Sequence, residues 1–553
     1  MLTHQNLFKA NNTESSWLQV AAMLLLFMVS LVPGYVLIKY GVHFSDEPYQ
    51  ILNTMDYHNS PLSPLTSYLC GLFGGIVGFN WLAYRYLALT LSNLAIIASG
   101  IYLYSDTKRL KFSVVVTCVV IFISGLYRRI PNLFGWDATT LFFTVVTLIT
   151  LLCYIKRPSV RLLIILAVLS AITTLVRVPN AIIVPVIFAI LMWKASDKGI
   201  FNRITDKNLL IYIVVTALSV FLILLALYGS LSDYIHYIQA NQMGAHQIKE
   251  ILIPYARSVS KIILMISALL GLCSVMNHFA DDGKPKGISG ICVIAGLAVL
   301  LFVSLYFNQG FTSNLNFPIE CVLSGLIYVL YKERDNLHGI PAVQAISAIM
   351  LGFVGAFGSN TGLVKYITWA LIPITAGMLV RFLSPKALRL YGLVFGVPLV
   401  ATLILYARVE AFAESGLRYT THKIENGNAC GLYTTAERKQ IIDEINATKS
   451  LIPEDHALLV LGESTNRFGY EYLFGSRGDY SRHEWSNLPL YDYDSYVDWV
   501  KSKLASGGDK IAVIYIKREN DADSKTKSLL DSRVPMIRDT ETFSVYGNLF
   551  IPK

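Results

Sequence analysis

Charge is scarce in this sequence. Asp, Glu, Lys and Arg make up 15% of the 553 residues and hydrophobic residues 54%, whereas soluble domains carry about 25% charge. With a mean hydropathy of +0.51, this scarcity excludes a soluble globular protein and implies a polytopic membrane protein. Cysteine is sparse as well. Of seven, Cys118, Cys153, Cys273, Cys292 and Cys321 fall in apolar runs, where they act as small hydrophobes. Cys430 stands alone in the polar C-terminal region, which excludes a disulfide framework there. Acidic residues are outnumbered 37 to 46 by basic ones, a net charge of +9. The Lys and Arg residues are spread over short loops between apolar runs, which reads as membrane topology and excludes a nucleic-acid partner. No repeat or low-complexity segment is present. The apolar run from Trp17 lacks a small-residue cleavage pattern after it and reads as a signal anchor, with the N-terminus in the cytoplasm.

Apolar runs near the bilayer-spanning length predict helices near 17–38, 81–104, 112–127, 138–155, 162–176, 179–193, 209–228, 258–278, 289–307, 317–331, 340–358, 366–383 and 389–408, about 13 in all. With a cytoplasmic N-terminus, the basic loops around Lys108-Arg109, Lys156-Arg157, Lys194, Lys284, Lys332 and Lys386 fall inside, as the positive-inside rule asks. The runs 162–176 and 179–193 form a hairpin whose tip, Arg177-Val178-Pro179, touches the outer face. After Arg408 the pattern becomes that of a soluble protein. Runs 457–462, 511–516 and 543–550 read as strands, and 436–450 and 496–505 as helices. The expected division is a transmembrane domain, 1–408, with a structured first outer loop, 39–80, followed by an extracytoplasmic α/β domain, 409–553. The whole is expected in a membrane, the bacterial inner membrane.

The first loop carries the chemistry. Asp46-Glu47 follows the first span by about one turn, and two adjacent carboxylates are costly beside a membrane. Further along come Asp56, His58 and the run Ser60-Pro61-Leu62-Ser63-Pro64-Leu65, then a stretch from Thr66 to Gly78 that reads as an interfacial helix. A loop of this length with its own structure is usually functional. The acidic pair, the Pro-rich start of an interfacial helix, Arg85 soon after it and Asp137 at the head of the fourth helix together resemble the GT-C superfamily of membrane glycosyltransferases. Within that superfamily the likeness is to protein O-mannosyltransferases and the lipid A aminoarabinose transferase.

The resemblance implies a GT-C fold. It also implies an inverting transfer of a sugar from a polyprenyl-phosphate donor to a glycan, lipid or protein hydroxyl at the extracytoplasmic face. Such a reaction needs a base for the acceptor proton and cations for the departing phosphate. The resemblance gives the base to Asp46, with Glu47 and Asp137 orienting hydroxyls. Arg85, Arg128, Arg129, Arg177 and Lys365 are the candidate phosphate contacts, since planar guanidinium groups suit phosphate oxygens, and His58 stands near the Pro-rich run as a further substrate contact. No cofactor is expected, with a divalent metal kept open. An oligosaccharyltransferase or polymerase using a lipid diphosphate, or a lipid or glycan transporter, is the alternative function.

Each residue also has a plainer role. Asp46-Glu47 fits a helix start, and Asp137 fits an N-cap. Arg128-Arg129 fits a headgroup anchor, Arg177 a snorkelling cation and His58 a polar loop residue. Asp492-Tyr493-Asp494 mimics a metal motif but reads as a helix start, and Phe357 to Gly362 reads equally as a phosphate-approaching loop or a tight turn.

Overall fold

A computed structural model describes residues 17–55, 58, 60–126, 133–194, 206–240, 316–357, 368–383, 410–411, 414–415, 417–462, 466–475, 493–507, 510–517 and 524–547. Its N-terminal part is helical: α1 (Trp17–Leu37), α2 (Asp46–Met55), α3 (Pro64–Val77), α4 (Trp81–Thr107), α5 (Leu110–Leu126), α6 (Trp136–Lys156) and α7 (Val160–Val176). A 3-10 turn, Val178–Ile182, leads to α8 (Ile183–Lys194), then α9 (Lys207–Tyr228), α10 (Leu231–Ala240), α11 (Asn316–Lys332), α12 (Ile340–Gly352) and α13 (Thr368–Leu379). Among the described residues four helical segments are long and apolar enough to cross a membrane: Gln19–Leu37, Trp81–Thr107, Trp136–Lys156 and Lys207–Tyr228. The runs expected at 258–278, 289–307 and 389–408 lie outside the described residues.

Local chemistry sets the helix ends. The Asn80 side chain accepts a hydrogen bond from the Ala83 N–H (3.0 Å) and opens α4, as an N-cap should. Pro64 occupies the first turn of α3, which needs no N–H there. That helix closes on Gly78 at φ 63°, a left-handed conformation open to glycine at little cost. Ser159 caps α7 through the Leu162 N–H.

Hydroxyl and amide pairs tie the helices where the hydrophobic effect offers little between lipid-soluble surfaces. Thr147 meets Thr173 between α6 and α7, Tyr212 donates to Ser170 between α9 and α7, and Gln344 donates to Tyr102 between α12 and α4. At the end of the bundle remote from the first loop, buried Asp106 takes both Lys156 and Arg381. There Lys156, Lys194 and Lys332 lie over the rings of Tyr102, Tyr154 and Tyr328. Of the basic loop residues that the sequence assigned to one side, Lys156, Lys194 and Lys332 thus gather at one end.

The C-terminal part starts with two short antiparallel pairs, β1 (Glu410–Ala411) with β2 (Glu414–Ser415) and β3 (His422–Lys423) with β4 (Tyr433–Thr434). Helix α14 (Ala436–Lys449) leads to a sheet of order β5-β6-β8-β7, formed by β5 (Ala457–Leu461), β6 (Ile511–Ile516), β7 (Met536–Asp539) and β8 (Phe543–Gly547). Strands β5 and β6 are parallel, and β8 runs antiparallel to both β6 and β7. Every residue of β6 is buried, as its unbroken apolar run requires. Helices α15 (Arg467–Phe474), α16 (Tyr493–Gly507) and α17 (Ser524–Arg533) complete this part.

The C-terminal part packs directly against the first-loop end. One core cluster holds Phe44, Tyr49, Trp81 and Tyr84 from the first-loop end together with Ile424, Leu432, Phe468, Tyr472 and Phe543 from the C-terminal part. Backbone bonds join them as well: Gly41 N–H to Tyr433 O, Tyr433 N–H to Lys39 O, Trp81 N–H to Asn428 O and Gly469 N–H to Phe44 O. Helix α15 is the wedge, with all of its residues buried.

At Gly469 an added Cβ would lie 2.4 Å from Phe44 Cγ and 2.5 Å from its Cβ. Phe44 is fully enclosed, so Gly469→Ala is expected to destabilise by about 1–3 kcal/mol through overpacking. Thermal unfolding in detergent measures this as a lowered midpoint, and an unchanged midpoint contradicts the wedge.

Candidate active site at the first loop

Adjacent residues on a helix point about 100° apart, and at the start of α2 that rotation separates the acidic pair. Asp46 is exposed, whereas Glu47 is 3% exposed. Two oxygens of Glu47 receive three donors. Arg85 Nε donates to Oε1 at 3.0 Å, Arg85 Nη2 to Oε2 at 2.5 Å and Trp81 Nε1 to Oε2 at 3.0 Å. Trp81 and Arg85 are four residues apart on α4, so one helix face supplies both. The remaining guanidinium edge, Arg85 Nη1, donates to Ile38 O at 3.0 Å, and its Cζ lies 5.6 Å from the Trp81 ring centroid. Arg85 was expected at the substrate phosphate. It lies instead beneath the acidic pair, 1% exposed, as the neutralising partner of Glu47.

The C-terminal part closes this pair from behind. Tyr472 stands edge-on to Trp81, centroids 5.5 Å apart, and its hydroxyl donates to Phe79 O at 2.6 Å. Burial pushes the Tyr472 phenol well up, and the nearby Tyr84 and Glu47 add to the shift. The hydroxyl therefore stays protonated and keeps its donor role.

The opposite face of α2 runs along the head of α6. Tyr49 meets Trp136 with centroids 6.0 Å apart, and the Gln50 side chain rests against Gly135. Asp137 is half-buried in the first turn of α6. The N-cap position expected for Asp137 belongs to Gly135, which makes no side-chain cap bond. The α6 head is fixed by hydroxyls: Thr139 donates to Gly135 O at 2.8 Å, and Thr66 of α3 lies 2.7 Å from Thr139 and donates to Val176 O.

The hairpin tip arrives at the same place. Val178 N–H donates to Leu62 O at 2.8 Å, Asn180 Nδ2 to Thr140 Oγ1 at 3.0 Å, and Arg177 Nη1 to Gly355 O at 3.1 Å. Asp46, Asp137 and Arg177 therefore sit on elements that converge on the α6 head. His58 belongs elsewhere on this end of the bundle, its ring 5.0 Å from Tyr237 and 5.7 Å from Tyr228, where Tyr234 also bonds Pro61 O. Arg128, Arg129, Lys365 and the segment 358–362 lie outside the described residues, as does Asp492, and α16 starts at Tyr493. Among the described residues no three His, Cys, Asp or Glu side chains gather in a metal-holding group.

Trp81 and Gln50 were missed by sequence reasoning, although their spacing carried a signal. Trp81 precedes Arg85 by four residues, and Gln50 follows Asp46 by four, so each shares a helix face with a residue already singled out.

No protein-family model and no curated protein matches this chain. Solved structures do resemble it. The oligosaccharyltransferase of Archaeoglobus fulgidus, tethered to an acceptor peptide with the NVT sequon, is 12% identical, with a TM-score of 0.47 over 91% of this chain and 70% of its own. ArnT from Cupriavidus metallidurans in the apo state is 13% identical, with a TM-score of 0.43 over 96% of this chain and 98% of its own.

Removing one partner of a buried ion pair strands the other's charge, at a cost of about 3–5 kcal/mol. Glu47→Leu is expected to lower the unfolding midpoint sharply, and Glu47→Leu with Arg85→Met to recover much of the loss. A double variant less stable than either single one contradicts the role given to the Glu47–Arg85 pair.

Proposed function

We propose that the chain is an inverting membrane glycosyltransferase, moving a sugar from a polyprenyl-phosphate donor to an acceptor hydroxyl at the extracytoplasmic face. The observation that supports this reading is the contrast within the acidic pair. Glu47 is buried and neutralised, while Asp46, one residue earlier, is exposed and engaged in no ion pair among the described residues. A carboxylate held by a rigid helix start beside the membrane suits a general base.

In the reaction, Asp46 takes the proton of the acceptor hydroxyl as its oxygen bonds to the anomeric carbon. The bond from that carbon to the phosphate oxygen breaks, and the phosphate leaves with the electron pair. Attack opposite the leaving group inverts the centre. Arg177, half-buried at the hairpin tip, is the proposed cation for the departing phosphate. Asp137 is proposed to orient a sugar or acceptor hydroxyl. Glu47 and Arg85 act through Asp46, as positioning residues. The outward assignment of this end is supported by Lys156, Lys194, Lys332 and Arg381 at the other, since basic residues favour the cytoplasmic side.

Asp46→Asn is expected to lower transfer from a polyprenyl-phosphate sugar by about 10²–10⁴-fold, the range of general-base catalysis. Its unfolding midpoint is expected to stay that of the parent, because the side chain is exposed. Transfer at the parental rate contradicts the assignment of the base.

A further inference from the structure

Gly135 occupies the N-cap of α6 in an extended conformation, φ −159° and ψ −159°. Any residue adopts that backbone, so the glycine is not there for its conformational freedom. Ser, Thr, Asp or Asn would each stabilise the helix more as a cap. Any of them would displace Gln50: a Cβ at position 135 would lie 2.0 Å from Gln50 Oε1 and 3.1 Å from its Cδ. The α6 head gives up a side-chain cap where the amide end of Gln50 lies.

That amide is half-buried and makes no hydrogen bond among the described residues. It lies one turn along α2 from Asp46 on the same face, and Asp137 follows Gly135 by two residues. Trp136, half-buried, adds an aromatic ring at the same place. A glutamine amide offers one acceptor oxygen and two N–H donors on one planar group, a set that matches the hydroxyls of a sugar ring.

We infer that Gln50 is a specificity-determining residue that reads a hydroxyl of the transferred sugar, given room by the missing side chain at Gly135. The inference rests on the glycosyltransferase reading. A site built to hydrogen-bond a hydroxyl rejects the analogue lacking it, because its polar group is then left unpaired.

The test uses the full-length protein in detergent with undecaprenyl-phosphate-linked mannose, glucose and galactose, followed by the monodeoxy analogues of whichever sugar is transferred. The parent protein is expected to prefer the full sugar over one monodeoxy analogue by at least about 10-fold. In Gln50→Ala that ratio should fall towards unity through a slower reaction with the full sugar, the rate with the deoxy donor being kept. Gly135→Ala, which displaces the flexible end of Gln50 and leaves the backbone undisturbed, should flatten the ratio in the same way. The double variant should add nothing further, as for residues acting through one contact. Equal slowing with every donor, or no change in the ratio, overturns the role of Gln50 while leaving the glycosyltransferase reading in place. Failure of the parent protein to transfer any of the sugars overturns both.

Discussion

The ion pair between Glu47 and Arg85 is the constraint around which this end of the molecule is built. A carboxylate withdrawn from water beside a membrane costs several kcal/mol, offset only by good geometry and filled hydrogen-bonding capacity. Here the two Glu47 oxygens receive Arg85 twice and the Trp81 indole once. Each donor is in turn tied down. Arg85 also bonds the carbonyl of Ile38 just past α1, and the Trp81 backbone bonds Asn428 of the C-terminal part. A charge that needs such surroundings links the first helix, the first loop, α4 and the C-terminal part into one unit.

That linkage bears on function through rotation along a helix. Because Glu47 is held inward, its neighbour Asp46 is turned outward, and Gln50 one turn on follows the same face. The chain thereby converts a structural charge into the placement of a free one. Asp106, with Lys156 and Arg381 at the far end of the bundle, is a second buried carboxylate held by cations. It joins the ends of α4 and α6 to the residue just past α13, so the helices that carry Trp81, Arg85 and Asp137 are pinned at both ends.

Hydrophobic periodicity made most of the fold legible. The runs expected at 81–104, 138–155 and 209–228 lie within α4, α6 and α9, and buried strands at 457–462 and 511–516 match β5 and β6. The acidic pair, the Pro-initiated helix and the hairpin tip were legible for the same reason: charge, proline and apolar length are local properties. Helix α15 was not. Arg467-Phe468-Gly469-Tyr470-Glu471-Tyr472 alternates without a helical stripe, since burial on all sides removes the polar face by which a surface helix is recognised. The true partner of Arg85 was also hidden. A sequence displays a cation, but whether it faces a phosphate or a buried glutamate is decided by tertiary packing across 38 residues. Gln50 was overlooked because an amide draws no notice until the glycine opposite it is seen.

The donor is the claim on which the rest of the function hangs, and the lipid carried by an inactive base variant tests it most directly. Mass spectrometry of lipid co-purified with Asp46→Asn, in which the donor is bound but not consumed, is expected to find a polyprenyl monophosphate bearing a single sugar. A polyprenyl diphosphate bearing an oligosaccharide, or no polyprenyl lipid at all, would contradict the account.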